Sequence, residues 1–304
     1  MDYTAAQTNL GKGATIIMTH KKTLQNRIKT AWRRVNLPGL KKHNLVIDIG
    51  CGGMPNPRAH VSCDFISSDA ERDNKLKIDR FFVWADIEHL PFKSGAFDYS
   101  ILSHVLEHLY HPRESLQEIQ RISKAGYIET PNAFYEFIIP HVYHVSRCTL
   151  IDNCLTVSFK KRHDETLDQP EYADVRHDLH KNWWNLNCYD STALLTRYHW
   201  QEKINYQIKG TPDQFIKPID YNEALEIQET KRHFLWKLAM SMVYAIFKPR
   251  AKVDYAALLA CPHCQGALTI AKHWETAFCV QCAITYPSFK GHLDFRINKK
   301  EAAL

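Results

Sequence analysis

The chain has 304 residues, 45% of them hydrophobic, 12% aromatic and 24% charged, which supplies apolar side chain for a sizeable core and excludes an intrinsically disordered chain. A formal net charge of +6 permits an anionic partner without demanding one. Nine cysteines in no secreted-style framework, and a start without a charged segment followed by an apolar run, set the expectation of a reducing, cytoplasmic protein with no integral membrane segment.

Residues 1–20 read as loosely structured and 20–36 as a basic helix, punctuated by Pro38-Gly39; residues 1–40 form an N-terminal extension. Short apolar strands are predicted at 44–50, 60–65, 81–86, 97–104 and 126–130. Between the last two, Leu106, Leu109, Leu116, Ile119 and Ile122 recur at helical spacing, interrupted at Pro112. Buried strands alternating with crossovers predict an α/β fold with a doubly wound, mostly parallel sheet spanning residues 41–215. Within it, HVSRCTLID and LTVSFKKR flank Asn153-Cys154 and predict a β-hairpin, part of an insertion over 141–190. A helix at 191–198 then leads into a late strand at 200–208. Residues 221–250 read as a long helix inside a linking segment, 216–252. A separate mini-domain occupies the C-terminus, 253–304.

The glycine cluster DIGCGGMPNPRAHVSCDF follows the first strand. In open α/β sheets ligands sit beyond the carboxyl ends of strands, where Gly50 and Gly52 let backbone approach closely. The third glycine position of a dinucleotide fingerprint holds Met54, followed by Pro55 and Pro57, so no helix start is available for a pyrophosphate. IDIGCGG, the acid Asp64, ADIEHLPF, FDYSILSHVLEHL and RISKAGYIETPN together resemble the successive motifs of class I S-adenosylmethionine methyltransferases, over roughly residues 44 to 132. The usual first crossover helix of that family is expected here as a loop. The resemblance implies S-adenosylmethionine as cofactor. Asp48, Gly50, Cys51 and Gly52 would line its methionine moiety. Asp64 would hold the ribose, Phe65 and Ile87 would pack on adenine, and Asp86 would bond the adenine amine. Ser103 and His104 would face the reacting methyl. His104, His108 and His144 are the candidate catalytic residues, since a hydroxyl acceptor gains from a base poised near neutral pH, and Glu107 could orient one of them.

His141, His144, His177 and His180, with Asp174 and Asp178, gather in a polar stretch, but their spacing belongs to no recognised metal motif, and a histidine-rich insertion is the expectation. Trp183 and Trp184 could stack a ring or serve as core. CPHC at 261–264 and CVQC at 279–282, by contrast, carry the spacing of two zinc knuckles, and Cys261, Cys264, Cys279 and Cys282 are read as a structural Zn²⁺ site. The surrounding stretch resembles the small zinc-ribbon activator proteins that partner tRNA and release-factor methyltransferases.

Three functions follow from this reading. The first is O- or N-methylation of a small molecule or glycan precursor, favoured by the histidine-rich cover. The second is methylation of tRNA, rRNA or a translation protein, suggested by the ribbon and the basic helix, although no Asn-Pro-Pro-Tyr-type tetrapeptide follows the fourth strand. The third is a non-catalytic S-adenosylmethionine-binding adaptor. Leu235, Leu238, Met242, Ala245 and Ile246 form an apolar stripe on the long helix, read as an internal brace, with peripheral membrane contact as the alternative. Oligomeric state is not legible.

Overall fold

The structure, a computed structural model, describes residues 29, 31–66, 76–138, 141, 144–161, 194–212 and 244–296. The glycine-cluster strand β1 (Val46–Ile49), β2 (Val61–Asp64), β3 (Phe81–Trp84), β4 (Tyr99–Ser103), β5 (Ala125–Pro131) and β8 (Leu195–Gln201) build a six-stranded sheet in the order β3-β2-β1-β4-β5-β8. All neighbours are parallel except β8, which runs antiparallel to β5. The central strands are buried on both faces, as parallel strands must be when their faces are covered. This is the α/β fold with a doubly wound, mostly parallel sheet that the alternating pattern predicts. Among the described residues, no helix is long and apolar enough to cross a membrane.

The segment after β4 does not form one helix. A single 3-10 turn, Leu106–His108, comes first, and α1 (Pro112–Ile122) then starts with proline in its first turn, where the missing N–H costs no bond. Leu116, Ile119 and Ile122 of α1 are fully buried against the sheet. Strand β5 is followed by α2 (Ala133–Ile138). The predicted hairpin is present as β6 (Ser146–Ile151) and β7 (Cys154–Phe159), and its two-residue turn falls on Asp152 and Asn153, both with positive φ. β7 also pairs in parallel with β9 (Tyr206–Lys209), making a separate three-stranded sheet.

Two expectations are corrected. Residues 195–198 were expected to be helical, yet they belong to β8. Burial along LTRYHWQ alternates residue by residue, and pairing with β5 from Pro131 to Ala125 outweighs the helical spacing. The late strand at 200–208 is interrupted, because Glu202 takes a positive φ and β9 joins the other sheet. Of the basic helix, 31–35 are described and helical. Of the long helix, 244–247 are helical, and Ile246 is 73% exposed, so at this position the stripe is not buried. Leu235, Leu238, Met242, Asp174, His177, His180, Trp183 and Trp184 lie outside the described residues.

The C-terminal unit comprises α3 (Tyr255–Leu258) and an antiparallel sheet of β10 (Leu268–Ile270), β11 (Thr276–Cys279), β12 (Ile284–Phe289) and β13 (His292–Leu293). It packs on the free edge of β3. Trp84 Nε1 donates to Phe289 O (2.9 Å), the Phe295 N–H donates to Trp84 O (2.9 Å), and Trp84 bridges Asp294 in parallel fashion. Phe81 stacks on Tyr255 with ring centroids 4.3 Å apart, and Lys93 N–H bonds Leu258 O. Leu259, Ala277, Tyr286, Leu293 and Phe295 therefore join the same apolar core as β1 and β2.

With one shared core, Phe295→Ala is expected to cost about 3–5 kcal/mol and to lower the stability of the sheet and of the C-terminal unit in a single transition. Urea unfolding followed by tryptophan fluorescence checks this; a separate early transition, with the main one unmoved, would contradict the shared core.

Candidate functional site

The strand order reverses between β1 and β4, and an open α/β sheet places its crevice at that point. Gly50 has φ +67°, and a Cβ there would stand 2.4 Å from Val105 Cγ2. Glycine thus lets the chain leaving β1 pass close to the chain leaving β4. No helix follows. Residues 50–60 form a loop, as expected, and polar side chains hold it where a helix would have satisfied its own backbone. Asp48 Oδ2 accepts from the Asn56 N–H (2.6 Å), Asn56 Nδ2 donates to Arg34 O (2.8 Å), and Arg58 donates to Val35 O and Lys41 O. Arg80 reaches the carbonyls of Asn56 and Ala59.

Asp64, at the end of β2, is buried and accepts from the Gly52 N–H (2.9 Å) and the Ile66 N–H (3.1 Å). Asp48, Gly50, Gly52 and Asp64 are thus brought together. Burial pushes the Asp48 carboxyl up to about 6, against the opposing Asn56 N–H and the positive charges of Arg34 and Arg80. Cys51 is buried against Phe82 and Trp84, and Ile87 lies in the main core. Phe65 is half-buried, with its carbonyl held by Arg296 Nη1 (2.9 Å). Asp86 sits two residues beyond the end of β3, and its Oδ1 accepts from the Glu88 N–H (3.0 Å).

At the end of β4, Ser103 is half-buried and paired in register with Glu129. His104 follows with φ +57°, an uncommon conformation for a side-chain-bearing residue. Its N–H donates to Glu129 O (2.8 Å), and its ring, 49% exposed, lies 3.5 Å from Glu107 Oε1 and 3.9 Å from Glu129 Oε1. Burial opposes the imidazolium, but the Glu107 and Glu129 carboxylates outweigh it and raise the His104 pKa. His108 and His144 meet ring to ring, perpendicular, with centroids 4.6 Å apart. His144 is buried, with Nδ1 bonded to Glu136 Oε1, and burial holds it well below the usual histidine range, so it is neutral. His141 stacks on Tyr135 beside it.

Sequence reasoning missed Glu129, Glu136 and Lys160. Glu129 is buried, accepts from Tyr127 Oη (2.6 Å) and pairs with Arg33 (3.4 Å). A charged residue near the carboxyl end of an otherwise apolar strand was the available signal. Between the N-terminal helix and β5/β8 lies a groove of about 610 Å³, lined by Arg33, Tyr127, Asn132, Phe134, Arg197 and His199.

In the C-terminal sheet, the Sγ atoms of Cys261, Cys264, Cys279 and Cys282 lie within 4.8 Å of one another, and those of Cys264 and Cys279 are 3.5 Å apart. Thiolates around a tetrahedral zinc are about 3.8 Å apart, so the donor set fits. Burial alone would raise the Cys261 thiol, but the Tyr286 hydroxyl and the knuckle amides bring it down to about 7.

The folded value for Asp48 lies above the 3.8 of a free carboxyl, so the folded state binds more protons between those two pH values and stability falls as pH rises through them. The shift corresponds to about 3 kcal/mol. Relative to wild type, Asp48→Asn is expected to gain up to about that much stability between pH 4 and pH 7; urea titrations at several pH values that give a constant difference would contradict the shift.

Residues 47–128 match the methyltransferase domain family. A demethylmenaquinone methyltransferase of Paenarthrobacter aurescens is 31% identical over 104 residues, which is 31% of this chain and 41% of that protein. An uncharacterized protein of Methanocaldococcus jannaschii is 34% identical over 86 residues, 28% of this chain and 38% of its own length. The chain thus spans less than half the length of these relatives. Among solved structures, the complex of the Haloferax volcanii Trm112 methyltransferase activator is similar at 17% identity and TM-score 0.27, over 38% of this chain and 58% of that one. The sequence comparisons support an S-adenosylmethionine-dependent methyltransferase domain over residues 47–128.

Proposed function

We propose that this protein is an S-adenosylmethionine-dependent methyltransferase acting on a hydroxyl or amine of a small molecule or glycan precursor. The observation that carries the reading is the switch-point crevice, where Gly50, Asp48 and Asp64 meet the end of β4, inside the segment that matches the methyltransferase domain. When bound, S-adenosylmethionine supplies an electrophilic methyl on its sulfonium. Gly50 and Gly52 would leave room for its methionine moiety, and Asp64 would accept from its ribose hydroxyls. The Gly52 and Ile66 amides already orient that carboxylate. Asp86, Phe65 and Ser103 border the same carboxyl edge.

His104 is the candidate base. Half-exposed beside Glu107 and Glu129, it can take a proton from an acceptor hydroxyl and hold it as a stabilised imidazolium. The groove beside Arg33 and Arg197 suits a small acceptor carrying negative charge. The four cysteines would hold a structural Zn²⁺ with all positions filled, stabilising the unit that covers β3. A cytoplasmic location fits free thiols throughout the described residues.

Asp64→Ala is expected to weaken S-adenosylmethionine binding by about 2–4 kcal/mol, the scale of losing charge-assisted hydrogen bonds. Calorimetry with unchanged affinity would remove the ribose assignment. Labelled S-adenosylmethionine incubated with fractionated small-molecule and RNA pools then identifies the acceptor, and label confined to RNA would replace the small-molecule reading.

A further inference from the structure

We propose that Glu107, His108 and His144 form a binding site for a divalent transition-metal ion, with donors distinct from the four cysteines. Glu107 is 1% exposed, and its carboxylate oxygens make no short hydrogen bond among the described residues. The His104 ring stands 3.5 Å away. A carboxylate taken out of water with one half-exposed imidazole 3.5 Å away is only partly compensated, so this group has room for a further cation. His108 and His144 stand beside it, and one ligand atom from each of the three residues lies within 4.8 Å of the others. Ligands around a tetrahedral ion at about 2.1 Å sit about 3.4 Å from one another, so side-chain rotation that draws the three together completes the site.

The surroundings have the form of a metal ligand's support. The bond from His144 Nδ1 to Glu136 fixes the neutral tautomer with its lone pair on Nε2, as in carboxylate–histidine–metal triads. Glu136 is itself paired with Lys160 Nζ (2.8 Å), so that buried pair is neutral and the Glu107 charge is left for the ion. The Val145 N–H donates to Glu107 O (2.8 Å), fixing the segment that carries His144 to the 3-10 turn that carries Glu107 and His108. Two imidazoles and one carboxylate select a Zn²⁺-like ion over Mg²⁺ or Ca²⁺, and three protein ligands leave a position open.

That position would lie next to His104, at the carboxyl end of β4. An acceptor hydroxyl bound to the ion would have its pKa lowered and would pass its proton to the His104 ring, leaving an alkoxide-like oxygen for methylation. This consequence rests on the methyltransferase reading; the metal site does not.

The test is a Co²⁺ titration of the reduced full-length chain after weak chelation, without S-adenosylmethionine. The expected result is one equivalent of Co²⁺ whose absorption lacks sulfur-to-metal charge transfer, in addition to any bound by cysteine. His108→Ala and Glu107→Gln should abolish that equivalent and leave the cysteine-bound one, with circular dichroism confirming that each variant is folded. Glu136→Gln should weaken it by about 10–100-fold. The proposal is overturned if all Co²⁺ bound by wild type shows thiolate charge transfer, or if folded His108→Ala binds the second equivalent with wild-type affinity. Loss of this equivalent with S-adenosylmethionine binding intact would leave the methyltransferase reading standing.

Discussion

The free edge of β3 is the constraint around which the described structure is arranged. A strand reading Phe-Phe-Val-Trp at the end of a sheet presents unpaired amides and carbonyls next to large apolar surface, a template for aggregation if left open. Here the C-terminal unit closes it through the Trp84 main chain and indole, stacked aromatics at Phe81, and Arg296 over the Trp84 ring at 5.0 Å. A unit of this size cannot bury enough surface to fold on core alone, and the core it shares with the sheet supplies part of what it lacks. Dependence runs both ways. The edge needs the C-terminal unit's covering, and that unit's apolar residues need the edge. Arg296 also bonds the carbonyl of Phe65, one residue past Asp64, so the covering unit braces the chain where it leaves β2.

On the other side of Asp64, the loop replacing the first crossover helix shows a different economy. A helix satisfies its own backbone, whereas in this loop Asp48 and Asn56 side chains accept from its amides and Arg80 donates to its carbonyls. Asp48 is consequently buried at some cost to its ionised form. The N-terminal helix becomes part of the site, since Arg34 reaches both Asn56 and Met54.

Fold and site were legible in the sequence to different depths. Apolar runs located five sheet strands and the hairpin within a few residues, because burial on both faces leaves a contiguous signature. Residues 195–198 were misread because their conformation is imposed by β5, about seventy positions earlier, which no local pattern records. At the site, Gly50, Asp48 and Asp64 were legible through residue type and position relative to a strand end. The roles of Glu129, Glu136 and Lys160 were not, because each depends on a pairing between distant segments: Arg33 with Glu129, and Lys160 with Glu136.

Those pairings explain why the carboxyl edge tolerates three buried glutamates. An isolated buried carboxylate would protonate or destabilise the fold, so each needs its own compensation. Glu129 takes Arg33 from the N-terminal helix and the Tyr127 hydroxyl. Glu136 takes Lys160 from the end of the hairpin and the His144 ring. Glu107 has the His104 ring at a longer distance, and that contact keeps its pKa low although burial works to raise it. The helix before β1 and the hairpin after β5 therefore do more than cover the sheet. They bring the cations that let negative charge persist beside His104, and with it a field that favours an imidazolium there over a neutral ring.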